Sequence, residues 1–250
     1  TQVLTLFPYT TLFRSLWVLD VKTARARRIP NVRLNNGILS THRWARDGKT
    51  LIASLVPARQ KPAPVAPLAP PAPRIETSAQ VAQASSTYEA RDLLKTPHDA
   101  DLFEYYGTSQ LALVDSKSGR VTLLGKPDTY TGIQQSPDQK YWFVTRIKRP
   151  YSFTRTYGRF PTVTELWDAH AKVLETLADL PLADQVPVDG VRVGPRGFEW
   201  HPTEPATIIW HEALDGGDTY AKVPAHDRIM IRPVGGMARE LTRTKQRSEG

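Results

Sequence analysis

Hydrophobic positions along the chain fall into short runs, about four to six residues each, separated by polar turns. Leu51-Ile52-Ala53, Tyr141-Trp142-Phe143-Val144 and Thr207-Ile208-Ile209-Trp210 are three of them. Runs this short, bounded by turn signals, predict strands rather than helices. Ahead of each lies a tight polar segment: Arg46-Asp47-Gly48-Lys49, Ser136-Pro137-Asp138-Gln139 and His201-Pro202-Thr203-Glu204. Pro presets φ, and Gly or Asp tolerates left-handed backbone, so these segments predict turns. Helical periodicity is confined to one short stretch, near 88–95 or 101–106.

The strands recur in a fixed order. LWVLDVKTAR (16–25) matches LALVDSKSGR (111–120), and weaker copies follow in LWDAHAKVLETL (166–177) and IMIRPVGGMARELT (229–242). A second element, WARDGKTLIAS (44–54), matches QSPDQKYWFVT (135–145) and EWHPTEPATIIW (199–210). Residues 57–87 are rich in Pro and Ala and predict an extended loop insert, because Pro cannot donate to a ladder. With that insert discounted, the repeat is about 60–65 residues long and holds four antiparallel strands, the signature of a β-propeller. The expected fold class is therefore all-β: a partial propeller of three to four four-stranded blades, an open arc spanning 16–250. A β-sandwich with accidental strand similarity is the alternative. Residues 5–15, TLFPYTTLFRS, read as the translation of a sequencing-adapter oligonucleotide. On that reading 1–15 are set aside, and the chain is expected to be an incomplete piece of its parent.

Composition narrows the chemistry. The 250 residues include 40% hydrophobic and 23% charged positions, ordinary for a globular protein. No stretch approaches the ~20 apolar residues of a membrane helix, so no membrane span is expected. The absence of Cys removes disulfides, zinc–thiolate sites, iron–sulfur clusters and a Cys nucleophile. The sequence also lacks Gly-x-Ser-x-Gly, a Walker A loop, Gly-x-Gly-x-x-Gly and His-Glu-x-x-His. The six His read as turn or surface residues, and Asp215-Gly216-Gly217-Asp218 as a connecting turn rather than a calcium loop. Neither a cofactor nor a metal is expected. A net charge of +8 permits nucleic acid, an anionic surface or acidic substrates as partners. The charge is spread over turns instead of gathered on one helix or stripe, which argues against nucleic acid.

One segment concentrates both charge and aromatic surface. Arg146, Lys148, Arg149, Arg155 and Arg159 alternate with Tyr151, Phe153, Tyr157 and Phe160 in a long inter-strand loop. Three readings stand side by side: stacking and phosphate contacts to single-stranded nucleic acid, Arg forks holding peptide carboxylates, or a packed loop paired with surrounding acids.

Five stretches carry a family resemblance: YEARDLLKTPHDADLFEYYGTSQLALVD (88–115), YTGIQQSPDQKYWFVTRIKRPYSF (130–153), GRFPTVTELWD (158–168), LADLPLADQVPV (177–188) and ALDGGD (213–218). In this order they resemble the N-terminal domain of the glutamyl endopeptidase branch of the prolyl oligopeptidase family. The resemblance implies a β-propeller capping a C-terminal α/β-hydrolase domain with a Ser, Asp and His triad. It further implies cleavage after acidic residues, no cofactor, and export of the protein. The triad positions have no counterpart here, so no catalytic residue is assigned and this chain alone is expected to be inactive. The expected partners are acidic peptide substrates and the missing catalytic domain. Arg149, Tyr151, Arg155 and Arg159 are the candidate substrate-binding residues. A stand-alone propeller serving as a protein-interaction module is the competing function.

Overall fold

The computed structural model describes residues 2–6, 15–39, 42–68, 93–183, 186 and 189–248, with 2–6 described as backbone only. Four antiparallel meanders account for the strands. The first sheet holds β1 (Gln2–Leu6), β2 (Ser15–Asp20) and β3 (Arg25–Arg33). The second holds β4 (His42–Trp44), β5 (Thr50–Leu55), β6 (Ser109–Asp115) and β7 (Val121–Asp128). The third holds β8 (Tyr130–Gln135), β9 (Tyr141–Ile147), β10 (Thr162–Asp168) and β11 (Val173–Leu180). The fourth holds β12 (Arg196–Trp200), β13 (Thr207–Ala213), β14 (Asp227–Pro233) and β15 (Arg239–Thr244). Within each sheet, strands adjacent in sequence are adjacent in space.

Both sequence repeats are hairpins of this plan. The first is β2–β3, β6–β7, β10–β11 and β14–β15; the second is β4–β5, β8–β9 and β12–β13. The recurring Asp has a local cause. Its side chain accepts the backbone N–H two residues on: Lys22 for Asp20, Lys49 for Asp47, Lys117 for Asp115, Lys140 for Asp138 and His170 for Asp168. Such Asx turns fix the reversal of the chain before any long-range contact forms.

Why the strand runs are apolar on consecutive residues follows from the packing. Successive side chains of a strand point to opposite faces. On β5, Leu51, Ala53 and Leu55 meet Leu16, Ile29 and Val32 of the first sheet, while Ile52 meets Trp142 and Val144 of the third. On β9, Trp142 and Val144 face the second sheet and Phe143 faces the fourth, against Trp200, Ile208 and Trp210. Phe143 and Trp200 stack with centroids 3.9 Å apart. Inner sheets are thus covered on both faces, the propeller arrangement. Among the described residues the first and fourth sheets share no core cluster, so the sheets form an open arc.

Between β5 and β6 sits α1 (Pro97–Gly107). Thr96 caps it: its side chain accepts from Asp99 N, and the Asp99 carboxylate accepts from Thr96 N, a capping box with Pro97 in the first turn. The helix covers the expected 101–106 but starts earlier. Leu93, Leu94 and Lys95 are not helical, and 88–92 lie outside the described residues. Of the insert, 57–68 carry neither helix nor strand, and 69–87 lie outside the described residues. Of the adapter-like tract, Thr5 and Leu6 belong to β1 and Ser15 to β2; 7–14 lie outside the described residues.

Candidate functional site

The basic–aromatic loop joins β9 to β10, and its two ends behave differently. At the start, cations meet acids. Arg146 lies 3.6 Å from Asp128 and 3.4 Å from Glu165, and Lys148 lies 2.5 Å from Asp179. Arg149 reaches back to α1, with Nε 2.6 Å from Glu104 and Nη2 2.7 Å from Asp101. Burial works against its charge, but bonds to Glu104 and Asp101 hold its pKa above the ordinary arginine value. Its guanidinium also lies 4.9 Å from the Tyr151 ring centroid. Tyr151 is 8% exposed, edge-on to Phe103 and stacked on Phe160, each at 5.1 Å. Burial, reinforced by the Glu104 charge, pushes its hydroxyl up to about 12, so it remains a neutral donor.

Farther along the loop, Arg155 and Arg159 are half-buried. After a 3-10 turn at Tyr157–Arg159, Arg159 Nη1 donates to Gly190 O at 3.4 Å, in the connection between β11 and β12. The structure therefore brings Arg149 and Tyr151 together against α1 and places Arg159 elsewhere, in the lining of a cleft.

That cleft, about 440 Å³, lies between the third and fourth sheets. It is lined by Gly132, Ile133 and Gln134 of β8 and by Arg159, Arg192 and Arg196. A second cleft of about 440 Å³ shares Gly132–Gln134 and is lined also by His42 and Arg43 of β4. Arg43 donates through Nη2 to Ile133 O, and burial lowers its pKa. Residues of both clefts thus converge on one strand, the first of its sheet. Reading the sequence alone missed Arg43, Arg192 and Arg196. Arg192 acts on Gly158, Phe160 and Thr162, some thirty residues upstream, and no local pattern announces that.

The fourth sheet ends in a buried ionic cluster. Arg196 lies 2.8 Å from Asp227, Arg247 lies 2.7 Å from Asp227 and also pairs with Asp215, and His226 Nδ1 lies 2.6 Å from Asp215. Both carboxylates have side chains that are 0% exposed. This corrects the reading of the six His as turn or surface residues. His226 is 16% exposed and bonded to Asp215, and His211 lies on β13 with Nδ1 buried. Asp215-Gly216-Gly217-Asp218 serves as a turn whose first carboxylate is taken up by Gly217 N, His226 and Arg247. Among the described residues no group of three or more His, Cys, Asp or Glu is placed to hold a metal. No helix among them is long and apolar enough to cross a membrane.

Comparison with known proteins places the chain. A protein of Oryza sativa subsp. japonica named "Probable glutamyl endopeptidase, chloroplastic" is 37% identical over 237 residues, covering 90% of this chain. A protein of the same name from Arabidopsis thaliana is 36% identical over 230 residues, again 90% of this chain. Over nine-tenths of its length this chain is homologous to these two proteins. It spans 24% and 23% of the length of these two relatives, about a quarter of each. No family model matches. Solved structures with similar outlines include the β-propeller domain of the trilobed protease of Pyrococcus furiosus, with TM-score 0.48, 11% identity and coverage of 97% of this chain and 53% of that one. The acylaminoacyl peptidase of Pyrococcus horikoshii gives TM-score 0.49, 10% identity and coverage of 93% and 28%. The described residues thus form a nearly all-β arc with two arginine-lined clefts.

Proposed function

We propose that this chain is the propeller portion of a serine endopeptidase of the glutamyl endopeptidase type. In this reading it gates and selects peptide substrates for a separate α/β-hydrolase domain. The observation that carries the reading is the 37% identity sustained over 90% of the chain. The nucleophile, its base and the oxyanion donors belong to the hydrolase domain, and this chain by itself is inactive.

The substrate-binding set divides by role. Arg149 and Tyr151 hold the loop against α1, and Arg155 and Arg159 present guanidinium groups to a passing peptide. An Arg fork matches a carboxylate bidentately, so the loop favours acidic peptides over neutral ones. Positive potential along the clefts adds steering that weakens with salt.

The test uses the parent gene product, with its hydrolase domain, and paired peptides bearing Glu or Gln at the cleaved position. Arg159→Gln is expected to raise KM for the Glu peptide several-fold and leave the Gln peptide unchanged. Equal effects on both peptides would remove the selection role. A parent coding sequence with no hydrolase domain would replace the peptidase reading with a stand-alone interaction propeller.

A further inference from the structure

Three first strands, β4, β8 and β12, each stand at the end of their own sheet. One cleft is lined by β8 and β12 and the other by β8 and β4, so these edges follow one another along one side of the arc. Gly132, in the middle of β8, lines both clefts. Nothing in the sheet demands a glycine there. Its φ is not positive, and a Cβ would meet only Thr145, at 3.6 Å, an ordinary contact. A bare position that the fold does not require leaves room for another backbone to approach closely. Across the second cleft, Arg43 is exposed and donates through Nη2 to Ile133 O. Among the described residues that carbonyl is its one hydrogen-bond partner, and it takes part in no ion pair. No Asp or Glu is among the described lining residues of this cleft. The surrounding sequence has the same sign: residues 21–46 hold seven Lys or Arg and no Asp or Glu. The bond to Ile133 fixes the guanidinium while its other donors stay available, so little freedom remains to be lost when a second acceptor arrives.

We propose that the cleft between β4 and β8 binds an extended acidic peptide, with Arg43 holding one side-chain carboxylate and Gly132 admitting the peptide backbone against β8. A guanidinium fork matches a carboxylate through two parallel N–H bonds. Among the described residues β8 pairs with β9 alone, and an edge strand turns alternate N–H and C=O groups away from its partner. An extended backbone answers such an edge, and its alternate side chains fall to either side, where the two clefts lie. A free phosphate would use Arg43 and leave the edge and the bare glycine without a purpose. The inference rests on the peptide-selection reading and adds Arg43 to its specificity-determining residues.

The test is a calorimetric titration of the 250-residue chain at fixed ionic strength with a short end-blocked peptide carrying one Glu, its Gln counterpart, and inorganic phosphate. Saturable binding of the Glu peptide is expected, about tenfold or more tighter than the Gln peptide. Arg43→Gln is expected to bring the Glu peptide down to the affinity of the Gln peptide. Arg243→Gln, an exposed residue paired with Glu240, is expected to leave both unchanged. Arg43→Lys keeps the charge without the fork and is expected to retain only part of the preference; it carries the test where Arg43→Gln no longer melts cooperatively. Methylating alternate backbone nitrogens of the Glu peptide is expected to weaken it by a similar factor, and an unchanged affinity would overturn the contact with β8. Equal binding of the Glu and Gln peptides, a full preference in both Arg43 variants, or saturable binding of phosphate alone overturns the site, as does no binding at all. Cleavage by the parent peptidase separates the two readings. Arg43-dependent binding alongside equal cleavage of Glu and Gln peptides sinks the selection reading and spares the site; selective cleavage that survives Arg43→Gln and is lost in Arg159→Gln does the reverse.

Discussion

Asp47 shows how a single carboxylate writes a turn. Its Oδ1 accepts from Lys49 N and Thr50 N, both at 2.8 Å, and its Oδ2 from Thr50 Oγ1 at 2.6 Å. Asp47→Ala is expected to lower stability by about 1 kcal/mol in a urea titration, with Asp47→Asn recovering part of it, because the amide oxygen keeps one acceptor. Gly125 is a position where any side chain is excluded. Its φ is +62°, and a Cβ there meets the Trp167 ring at 2.5 Å. Gly125→Ala is expected to cost about 2 kcal/mol or more by the same measurement, since strain and overpacking add. The turn-forming Asp residues were legible in the sequence because their partners lie two or three residues away. The partners of Arg149 and Arg192 were not, because the acids of α1 and the carbonyls of Gly158 and Phe160 come to them only through the fold. The charge of the loop was visible; the division between its paired and cleft-facing ends was not.

At the scale of elements, α1 fastens the second sheet's connection to the loop of the third. Phe103 on α1 sits edge-on to Tyr151 and to Phe160, and Arg149 pairs with the acids of the same helix. Phe160, 1% exposed, is the center of that cluster, and Phe160→Ala is expected to lower stability by about 3–5 kcal/mol, read as a fall in Tm. Arg149→Met tests the ionic part separately. Its groups are half-exposed, so its cost is expected to stay within about 1 kcal/mol and to vanish in high salt. Strand runs and their order were readable because both faces of an inner sheet are buried, which gives unbroken apolar runs such as Tyr141–Val144. The helix was harder to place: a short helix has few periods, and its start is set by the Thr96–Asp99 capping box rather than by an apolar stripe.

For the whole molecule, acid is the revealing condition. Burial pushes Asp215 and Asp227 upward, but hydrogen bonds outweigh it. His226, Gly217 N and Arg247 hold Asp215 below the usual carboxylate value, and Arg196, Ser248 N and Arg247 do the same for Asp227. A carboxyl depressed in the folded state contributes stability that is fully present above its unfolded pKa, near 4, and is lost as pH falls through the folded value. Denaturation midpoints are therefore expected to hold from pH 7 to about 5 and to drop steeply below about 4. Arg247→Met leaves two buried carboxylates short of a cation, with an expected cost of about 3–5 kcal/mol at neutral pH and a shallower acid limb. The seams between sheets have a different character. Each sheet's strands pair in their own ladder, and neighbours meet through apolar side chains, one backbone bridge between Leu34 and Leu55 at the first seam, and a few bonds such as Asp138 N to Pro205 O and Trp200 Nε1 to Gln134 O. A stretch of DNA encoding one four-stranded unit can consequently be copied or deleted without rewiring the ladder inside any sheet. The price of a change in copy number falls on the two faces it newly joins, so lineages with altered unit counts should differ most in the alternate residues of those faces, and least in their turns.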